Sequence, residues 1–142
     1  VLEAFVAAQG IALRILCQRT DTDDWITHTP VARWSRADWV VNASRGAHVS
    51  AAAALVPGVV DPLRALALRV CEALSSRPDG HLLVELGLDA MVGEDGAPHL
   101  IEVNGRLRGR LEALASADSE AWESAHRLAC MQPILYLAGR FC

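Results

Sequence analysis

The sequence predicts an α+β fold, an antiparallel sheet with flanking helices, and three observations support this prediction. Strand-like segments at Ile11–Arg19 and Trp25–Trp34 are joined by the polar turn "TDTDD". A second strand pair, within His81–Arg106, surrounds an Asp-Gly turn signal, and one amphipathic helix from Asp61 stands between the two pairs. Paired strands interspersed with helices are typical of helices packed on one face of an antiparallel sheet. The 142 residues are enough for one domain.

The first strand pair is recognised by its periodicity. Segment Ile11–Arg19 alternates between two faces, as a strand does. One face carries Leu13, Ile15 and Cys17, and the other carries Arg14, Leu16 and Gln18. Segment Trp25–Trp34 is rich in β-branched and aromatic residues, so we expect it to return as the second strand of an antiparallel hairpin. Pro30 lacks an N–H donor, which favours an edge position or a bulge there. Segment Ser35–Ser50 is expected to be irregular.

Two helices are expected. In the first, Asp61 can cap the N-terminus and Pro62 suits the first helical position. Its apolar stripe consists of Leu63, Leu66, Ala67, Val70 and Leu74. The turn-forming tetrapeptide Arg77–Gly80 ends it. The second helix runs from about Ser119 to Leu137, and Pro133 should kink it.

Composition and charge argue against several classes of function. Hydrophobic residues make up 52% and charged residues 21% of the chain, which is a globular composition and not a disordered one. The 13 basic residues, all of them arginine, face 17 acidic ones, for a net charge of −4. A nucleic-acid-binding domain would carry a basic surface, so we expect no nucleic-acid partner. No window approaches the roughly 20 apolar residues of a membrane span, so no membrane partner is expected either.

The start of the chain and its cysteines indicate a cellular context. The sequence begins at Val1 without a signal-peptide pattern and without Met, which is expected of a segment of a longer cytoplasmic protein. Cys17, Cys71, Cys130 and Cys142 show no C-x-x-C spacing. Zinc sites and disulfide frameworks usually have tighter spacing, so free thiols in a reducing cytoplasm are expected.

The register of the second strand pair follows from its turn. If Asp95-Gly96 is a two-residue type I′ turn, the opposed pairs are Met91 with Leu100, Asp89 with Glu102, Gly87 with Asn104, and Glu85 with Arg106. All of these lie on one face, because strand side chains alternate. The other face is expected to be core and carries Leu82, Val84, Leu86, Leu88, Ala90, Val92, Ile101 and Val103. A three-residue loop would instead move Asp89 away from Glu102.

The opposed carboxylates of Asp89 and Glu102 need an explanation. Their Cβ atoms would be roughly 5 Å apart, and like charges in that position destabilise a sheet. Either one carboxyl group takes up a proton through a raised pKa, or a cation lies between the two. Asn104 adds an amide oxygen one pair further along, and a ligand set made only of oxygen suits Mg²⁺. The alternative is a solvated polar face that binds nothing.

The segment "ELGLDAMVGEDGAPHLIEVNGR" resembles the C-terminal metal-binding hairpin of the ATP-grasp superfamily. In that superfamily an Asp on one strand and a Glu-x-Asn on the next hold Mg²⁺, and Asp89, Glu102 and Asn104 match these positions. The nearest branch is the YheC/YheD family, described as endospore-coat-associated. Three further segments resemble that family in the right order: "GIALRILCQR" its "DVRVLVQ" strand, "PVARW" the "AR" before its loop, and "VVNASRGAHVS" its "TNLSRGG"-like loop.

The resemblance implies the fold, the cofactors and the site residues. The fold would be the C-terminal portion of an ATP-grasp fold, with residues 1–142 as a single domain that lacks the N-terminal half. The cofactors would be ATP and Mg²⁺, with the metal held by Asp89, Glu102 and Asn104. Arg14 and Arg33 would be the catalytic arginines, and the residues that contact the nucleotide would be Arg14, Asn42, Ser44, Arg45 and Gly46.

The activity implied is an ATP- and Mg²⁺-dependent ligase that joins an unknown carboxylate to an amine or a thiol through an acylphosphate. Its site would be completed by the missing N-terminal half, so that the segment alone would be inactive. The sequence also departs from the family pattern. Ala12 stands where an Asp is usual, Ala47 replaces a Gly, and Leu107-Arg108 replaces a Pro-Gly pair. The alternative is therefore a non-catalytic structural or interaction protein, associated with the spore coat, that keeps the fold.

Overall fold

The computed structural model describes residues 11–34, 48–105 and 119–141, and within them the predicted α+β class is confirmed. The strands are β1 (Ile11–Arg19), β2 (Trp25–Thr27), β3 (Val31–Trp34), β4 (His48–Ala51), β5 (Glu85–Val92) and β6 (Pro98–Asn104). The helices are α1 (Ala52–Leu55), α2 (Val60–Ser75) and α3 (Ser119–Phe141), with a 3₁₀ turn at Gly80–Leu82.

One antiparallel sheet contains all six strands, in the order β4-β3-β1-β5-β6, and β2 also pairs with β1. The central strand β1 fixes the positions of its neighbours. Ala12 is opposite Arg33 on β3, and Arg14 is opposite Asp89 on β5. Because directly opposed residues share a face, this register places side chains from three strands on the same side of the sheet.

The hydrophobic core lies on the other side of the sheet, under α2. The alternation predicted for β1 is confirmed, since Leu13, Ile15 and Cys17 are fully buried. The remaining core residues of the cluster are Ala32, Ala52, Val59, Leu63, Ala67, Cys71, Leu86, Leu88, Ala90 and Val92. Cys17, Cys71 and Cys130 form no disulfide bond among the described residues, and Cys142 lies outside them.

The segment Trp25–Trp34, predicted as one strand, forms two short strands. The interruption at His28–Pro30 contains the proline that was expected to break the ladder, and the His28 N–H still donates to the Leu16 carbonyl at 2.9 Å. Strand β4 includes the last three residues, His48–Ser50, of the stretch that was expected to be irregular, so the expectation was wrong for these three. Among the described strands its four residues pair with β3, and a strand this short gives too few alternations to be recognised from periodicity.

Helix α2 begins at Val60, two residues before the predicted first helical position at Pro62, and its cap differs. Val59 is the N-cap, and no side chain makes a capping hydrogen bond. Asp61 lies inside the first turn, so its predicted role as the cap was wrong. An acidic residue there still interacts favourably with the positive end of the helix dipole.

The turn of the β5–β6 hairpin differs from the prediction, whereas the predicted pairing of Asp89 with Glu102 is observed. The loop has three residues, Glu94–Gly96, because the Gly93 N–H donates to the Ala97 carbonyl at 2.9 Å. Gly96 has φ 76°, a conformation that glycine adopts without strain. Met91 is consequently opposite His99, not Leu100. A bulge between Asp89 and Ala90 then restores the predicted register further along.

Two residues expected in the core are exposed instead. Ile101, the extra residue of the bulge, is 55% exposed, because a bulged residue has no place in the regular alternation. Leu82 is 67% exposed, because it belongs to the 3₁₀ turn and not to β5.

Helix α3 packs on the face of the sheet opposite to α2 and continues through Pro133 to Phe141. Pro133 has no N–H to donate to the carbonyl four residues before it, which is that of Ala129. The Gln18 side chain of β1 supplies the missing donor, with its Nε2 at 2.7 Å from the Ala129 oxygen. No helix among the described residues is long and apolar enough to cross a membrane.

Candidate functional site

Five predicted site residues converge on the face of the sheet that α2 does not cover. Arg14 and Asp89 are opposed on β1 and β5, and Arg33 comes from β3 on the other side of β1. Asp89 is directly opposite Glu102, as predicted. Asn104 is opposite Gly87, so it lies one pair further along the same face.

Asp89 is the centre of this group because four N–H donors reach its two oxygens. Arg14 binds it in a bidentate manner, with Nε at 2.8 Å from Oδ1 and Nη2 at 2.6 Å from Oδ2. Arg33 Nη2 donates to Oδ1 at 2.7 Å. Asn104 Nδ2 donates to Oδ2 at 3.3 Å. Bidentate arginine–carboxylate pairs are among the strongest polar contacts in proteins, so the Asp89 side chain is held in one orientation.

The two arginines are largely buried beside this carboxylate. The exposed fraction is 28% for the Arg14 side chain, 13% for Arg33 and 14% for Asp89. Hydrogen bonding to Asp89 raises the pKa of Arg14, with burial acting against it and the charges of Asp89 and Glu102 adding to the increase. Burial and the neighbouring charge of Arg14 lower the pKa of Arg33. Both guanidinium groups stay charged, because the pKa of arginine exceeds about 12.

Glu102 is more exposed than Asp89, the residue opposite it on β5. Its side chain is exposed, and among the described residues it makes no hydrogen bond or ion pair that would neutralise it. Its charge acts on Arg14 through space. The like-charge repulsion in the hairpin is thus relieved on the Asp89 side by arginine, and no described residue binds the carboxylate oxygens of Glu102.

The chemistry of these residues fits a hard divalent cation. Two carboxylates and an amide oxygen are the ligand types that Mg²⁺ takes, with water or phosphate completing its octahedron. Within residues 11–34, 48–105 and 119–141, no group of three or more His, Cys, Asp and Glu side chains could hold a metal ion. The amide of Asn104 lies beside Asp89 and could supply an oxygen in addition to the two carboxylates. Arg33 Nε is also buried without a hydrogen-bond partner, as expected where a polar ligand binds.

A second polar cluster lies on the same face, under α3, and the sequence analysis missed it. Gln18 is fully buried, and its Nε2 donates to Glu85 Oε2 at 3.0 Å as well as to Ala129. Its Oε1 is 2.7 Å from His28 Nε2. Pro133 was the available signal, since a proline within a helix leaves one carbonyl that needs another donor.

Some predicted residues cannot be placed. Asn42, Ser44, Arg45 and Gly46, expected to contact the nucleotide, lie outside the described residues. The same holds for Arg106, which was expected opposite Glu85.

A family comparison identifies the chain. A sequence profile described as YheC/D like ATP-grasp matches residues 6–136. The chain belongs to the YheC/D-like ATP-grasp family. The match includes both arginines and the whole β5–β6 hairpin of this ATP-grasp chain. No curated protein sequence matches it significantly.

One solved enzyme shares the fold of this chain, and a second aligns more weakly. N5-carboxyaminoimidazole ribonucleotide synthetase from Thermotoga maritima aligns with a TM-score of 0.50 and 15% identity, over 88% of this chain and 30% of the other. N5-carboxyaminoimidazole synthase from Aspergillus clavatus, in complex with ADP and 5-aminoimidazole ribonucleotide, aligns with a TM-score of 0.41 and 14% identity, over 75% of this chain and 24% of the other. The ATP-grasp chain thus spans less than a third of either enzyme's length.

Proposed function

We propose that this chain supplies the metal and phosphate half of an ATP- and Mg²⁺-dependent ligase site. The observation that carries the proposal is the register of β5 and β6, which sets Asp89 opposite Glu102 with Asn104 beside them. A chain of the ATP-grasp family that places two carboxylates, an amide and two arginines on one face has the groups needed to bind a metal–nucleotide.

Each residue has a role in this proposal. Asp89, Glu102 and Asn104 would hold Mg²⁺ through oxygen atoms. Arg14 and Arg33 would stabilise the charge that develops on the transferred phosphoryl group, because a guanidinium fork matches phosphate oxygens. The loop residues Asn42, Ser44, Arg45 and Gly46 would contact the nucleotide.

The proposed reaction joins a carboxylate to an amine or a thiol. The carboxylate attacks the γ-phosphate of ATP and ADP leaves. The amine or thiol then attacks the carbonyl carbon of the acylphosphate, the C–O bond to phosphate breaks, and inorganic phosphate and a proton are released. A bound Mg²⁺ supplies charge neutralisation at the phosphate oxygens. The contribution of the protein is mainly electrostatic, through positively charged groups that are already in place before the transfer.

Calorimetry of Mg²⁺–ATP binding to the full-length protein tests the proposal. Glu102→Ala removes an exposed carboxylate that stabilises no described contact, so the protein should fold while its affinity falls at least about tenfold. Glu94→Ala is the matched control, because Glu94 is an exposed glutamate in the loop of the same hairpin and should bind as the wild type does. Equal affinity for Mg²⁺–ATP in the wild type and Glu102→Ala would contradict the proposed metal site.

A second measurement separates a ligase from the non-catalytic alternative. Release of ADP that depends on both an added carboxylic acid and an added amine is expected of the ligase. Binding of Mg²⁺–ATP without such release, over a panel of acids and amines, would favour a structural protein of the same family. The Leu107-Arg108 departure makes this test necessary, because that segment borders the acceptor side in the resemblance.

A further inference from the structure

The hydrogen-bonding capacity of Asp89 is fully used by protein donors. A carboxylate offers about four lone-pair positions on its two oxygens. Here Arg14 takes two of them, Arg33 takes one and Asn104 takes one, at distances of 2.6 to 3.3 Å. A metal ion can therefore reach Asp89 only after at least one of these donors has left.

The charges on this face match those of a loaded metal site. Arg14 and Arg33 together carry two positive charges, and the opposed Asp89 and Glu102 carry two negative ones. A single divalent cation between the carboxylates would supply the same charge that the two arginines supply here. The arginines thus offset the negative charge of Asp89, which a bound cation would otherwise offset.

We infer that Arg14 and Arg33 neutralise Asp89 in place of the metal. When metal and nucleotide bind together, Arg33 exchanges its partner: its hydrogen bond to Asp89 breaks and it binds phosphate instead. The inference rests on the function proposed above and adds a rule for the order of loading. Of the two arginines, Arg33 is the one that leaves, because a single hydrogen bond joins it to Asp89 whereas Arg14 is held by two. The buried Arg33 Nε also has no acceptor among the described residues, so a phosphate would satisfy a donor that Asp89 leaves unpaired.

This exchange couples the two ligands. Without nucleotide, the apparent metal affinity is reduced by the fraction of molecules in which Asp89 is bonded to Arg33. With nucleotide, the displaced guanidinium gains phosphate acceptors, so metal and nucleotide strengthen each other's binding. The site therefore resists loading with metal alone and accepts the metal–nucleotide complex.

The test measures the affinity for Mn²⁺, a substitute for Mg²⁺, from the electron paramagnetic resonance signal of the free ion. The full-length protein is titrated without nucleotide as wild type, Arg33→Gln and Arg64→Gln. Arg33→Gln should bind Mn²⁺ about three- to tenfold more tightly than the wild type, and its affinity for ADP in the presence of Mg²⁺ should fall at least tenfold. Arg64→Gln, which changes a half-buried arginine paired with Asp61 on α2, should match the wild type in both. Mn²⁺ binding by Arg33→Gln that is no tighter than wild type overturns the exchange.

Arg33→Lys separates competition for Asp89 from simple charge repulsion. It keeps the positive charge but loses the planar fork, so the exchange predicts an affinity for Mn²⁺ between those of the wild type and Arg33→Gln. An Arg33→Lys affinity equal to the wild type assigns the effect to charge alone and overturns the exchange.

The remaining outcomes distinguish this inference from the proposed function. The affinity for Mn²⁺ could depend on Glu102 and yet not increase in Arg33→Gln. That outcome supports the ligase site and contradicts only the exchange. No Mn²⁺ binding by the wild type, with or without ADP, contradicts both the ligase site and the exchange.

If Arg33→Gln does not fold, guanidinium NMR of the wild type tests the exchange instead. The rotation of the Arg33 Nη groups should become fast when Mg²⁺ is added alone and slow again when ADP follows. Slow rotation throughout a Mg²⁺ titration that saturates the site overturns the exchange.

Discussion

The side chain of Gln18 uses every polar atom of its amide. Its Nε2 donates to both Glu85 and Ala129, so its Oε1 can only accept from His28. His28 Nε2 must therefore carry the hydrogen in the neutral ring. His28 is 5% exposed, and burial lowers the pKa of its imidazole, with the charge of Glu85 acting in the opposite direction. This cluster couples the protonation of one histidine to the docking of α3.

Acidification should destabilise the protein through His28. Because its pKa is lowered in the folded state, the unfolded chain binds more protons below the ordinary value of about 6.5. The contribution of His28 to stability is complete above that pH and is lost as the pH falls towards the folded-state pKa, by up to about 1.4 kcal/mol per pH unit. Urea unfolding at pH 7.5 and 5.5 should show a larger decrease for the wild type than for His28→Gln, which keeps a donor that does not titrate. An equal decrease in both would show that His28 does not titrate in this range.

The positions of individual side chains could be predicted from the sequence only in part. The period of two placed Arg14 and Gln18 on the polar face of β1, and this is confirmed. The resemblance to a known family placed Arg33 near the same site. Neither source gave the contact between Arg14 and Asp89, because the two residues are 75 positions apart and their meeting depends on which strand lies beside β1. The bond from Gln18 to Ala129 spans 111 positions for the same reason.

The β5–β6 hairpin shows two departures from ideal geometry that compensate each other. The three-residue loop shifts the register by one residue from that of a two-residue turn, and on its own it would set Asp89 opposite Ile101. The bulge at Ile101 shifts it back, so that Glu102 is opposite Asp89. The prediction of opposed carboxylates was therefore right, although the turn from which it was derived was wrong. Single-sequence patterns identify the turn residues here but not the bulge.

Deleting Ile101 should be tolerated. Without the extra residue the ladder becomes regular, Val103 stays opposite Leu88, and a side chain that is 55% exposed is lost. We expect the free energy of unfolding to change by less than about 1 kcal/mol.

Deletion of Val103 is the matched control for the hairpin. If Ile101 takes a regular place in the ladder of that variant, the bulge disappears and Glu102 moves opposite Leu88. Its side chain then faces the core, where an unpaired carboxylate is strongly unfavourable. The control should lose several kcal/mol, about 3 or more, by urea denaturation. Equal losses in the two deletion variants would contradict the compensation between loop and bulge.

At the scale of the whole molecule, α3 is unusual in which residues it buries. Over residues 127–140, whose side chains the structure describes, the buried positions are Ala129, Gln132 and Tyr136, and the large apolar side chains other than Tyr136 are exposed. The exposed set is Leu128, Met131, Ile134, Leu135 and Leu137, each between 45% and 59% exposed. Polar contacts hold the helix instead, including Gln132 Nε2 to the Arg19 carbonyl and Arg140 Nη2 to Asp23 Oδ2 at 2.7 Å. Sequence periodicity could predict the helix but not which side faces the sheet, because α3 is apolar on nearly every side.

The exposed side of α3 should make the 142-residue chain self-associate. Contiguous apolar surface of this kind promotes association in isolated domains, whereas half-exposed side chains contribute little to folding. The triple variant Leu128→Gln, Ile134→Gln and Leu135→Gln should therefore reduce concentration-dependent light scattering of this chain, with the free energy of unfolding lowered by no more than about 0.5 kcal/mol per substitution. Leu82→Gln is the matched control, since it removes the more exposed leucine of the 3₁₀ turn and should leave the scattering unchanged. Scattering that falls equally in both variants would assign association to total exposed apolar area and not to α3.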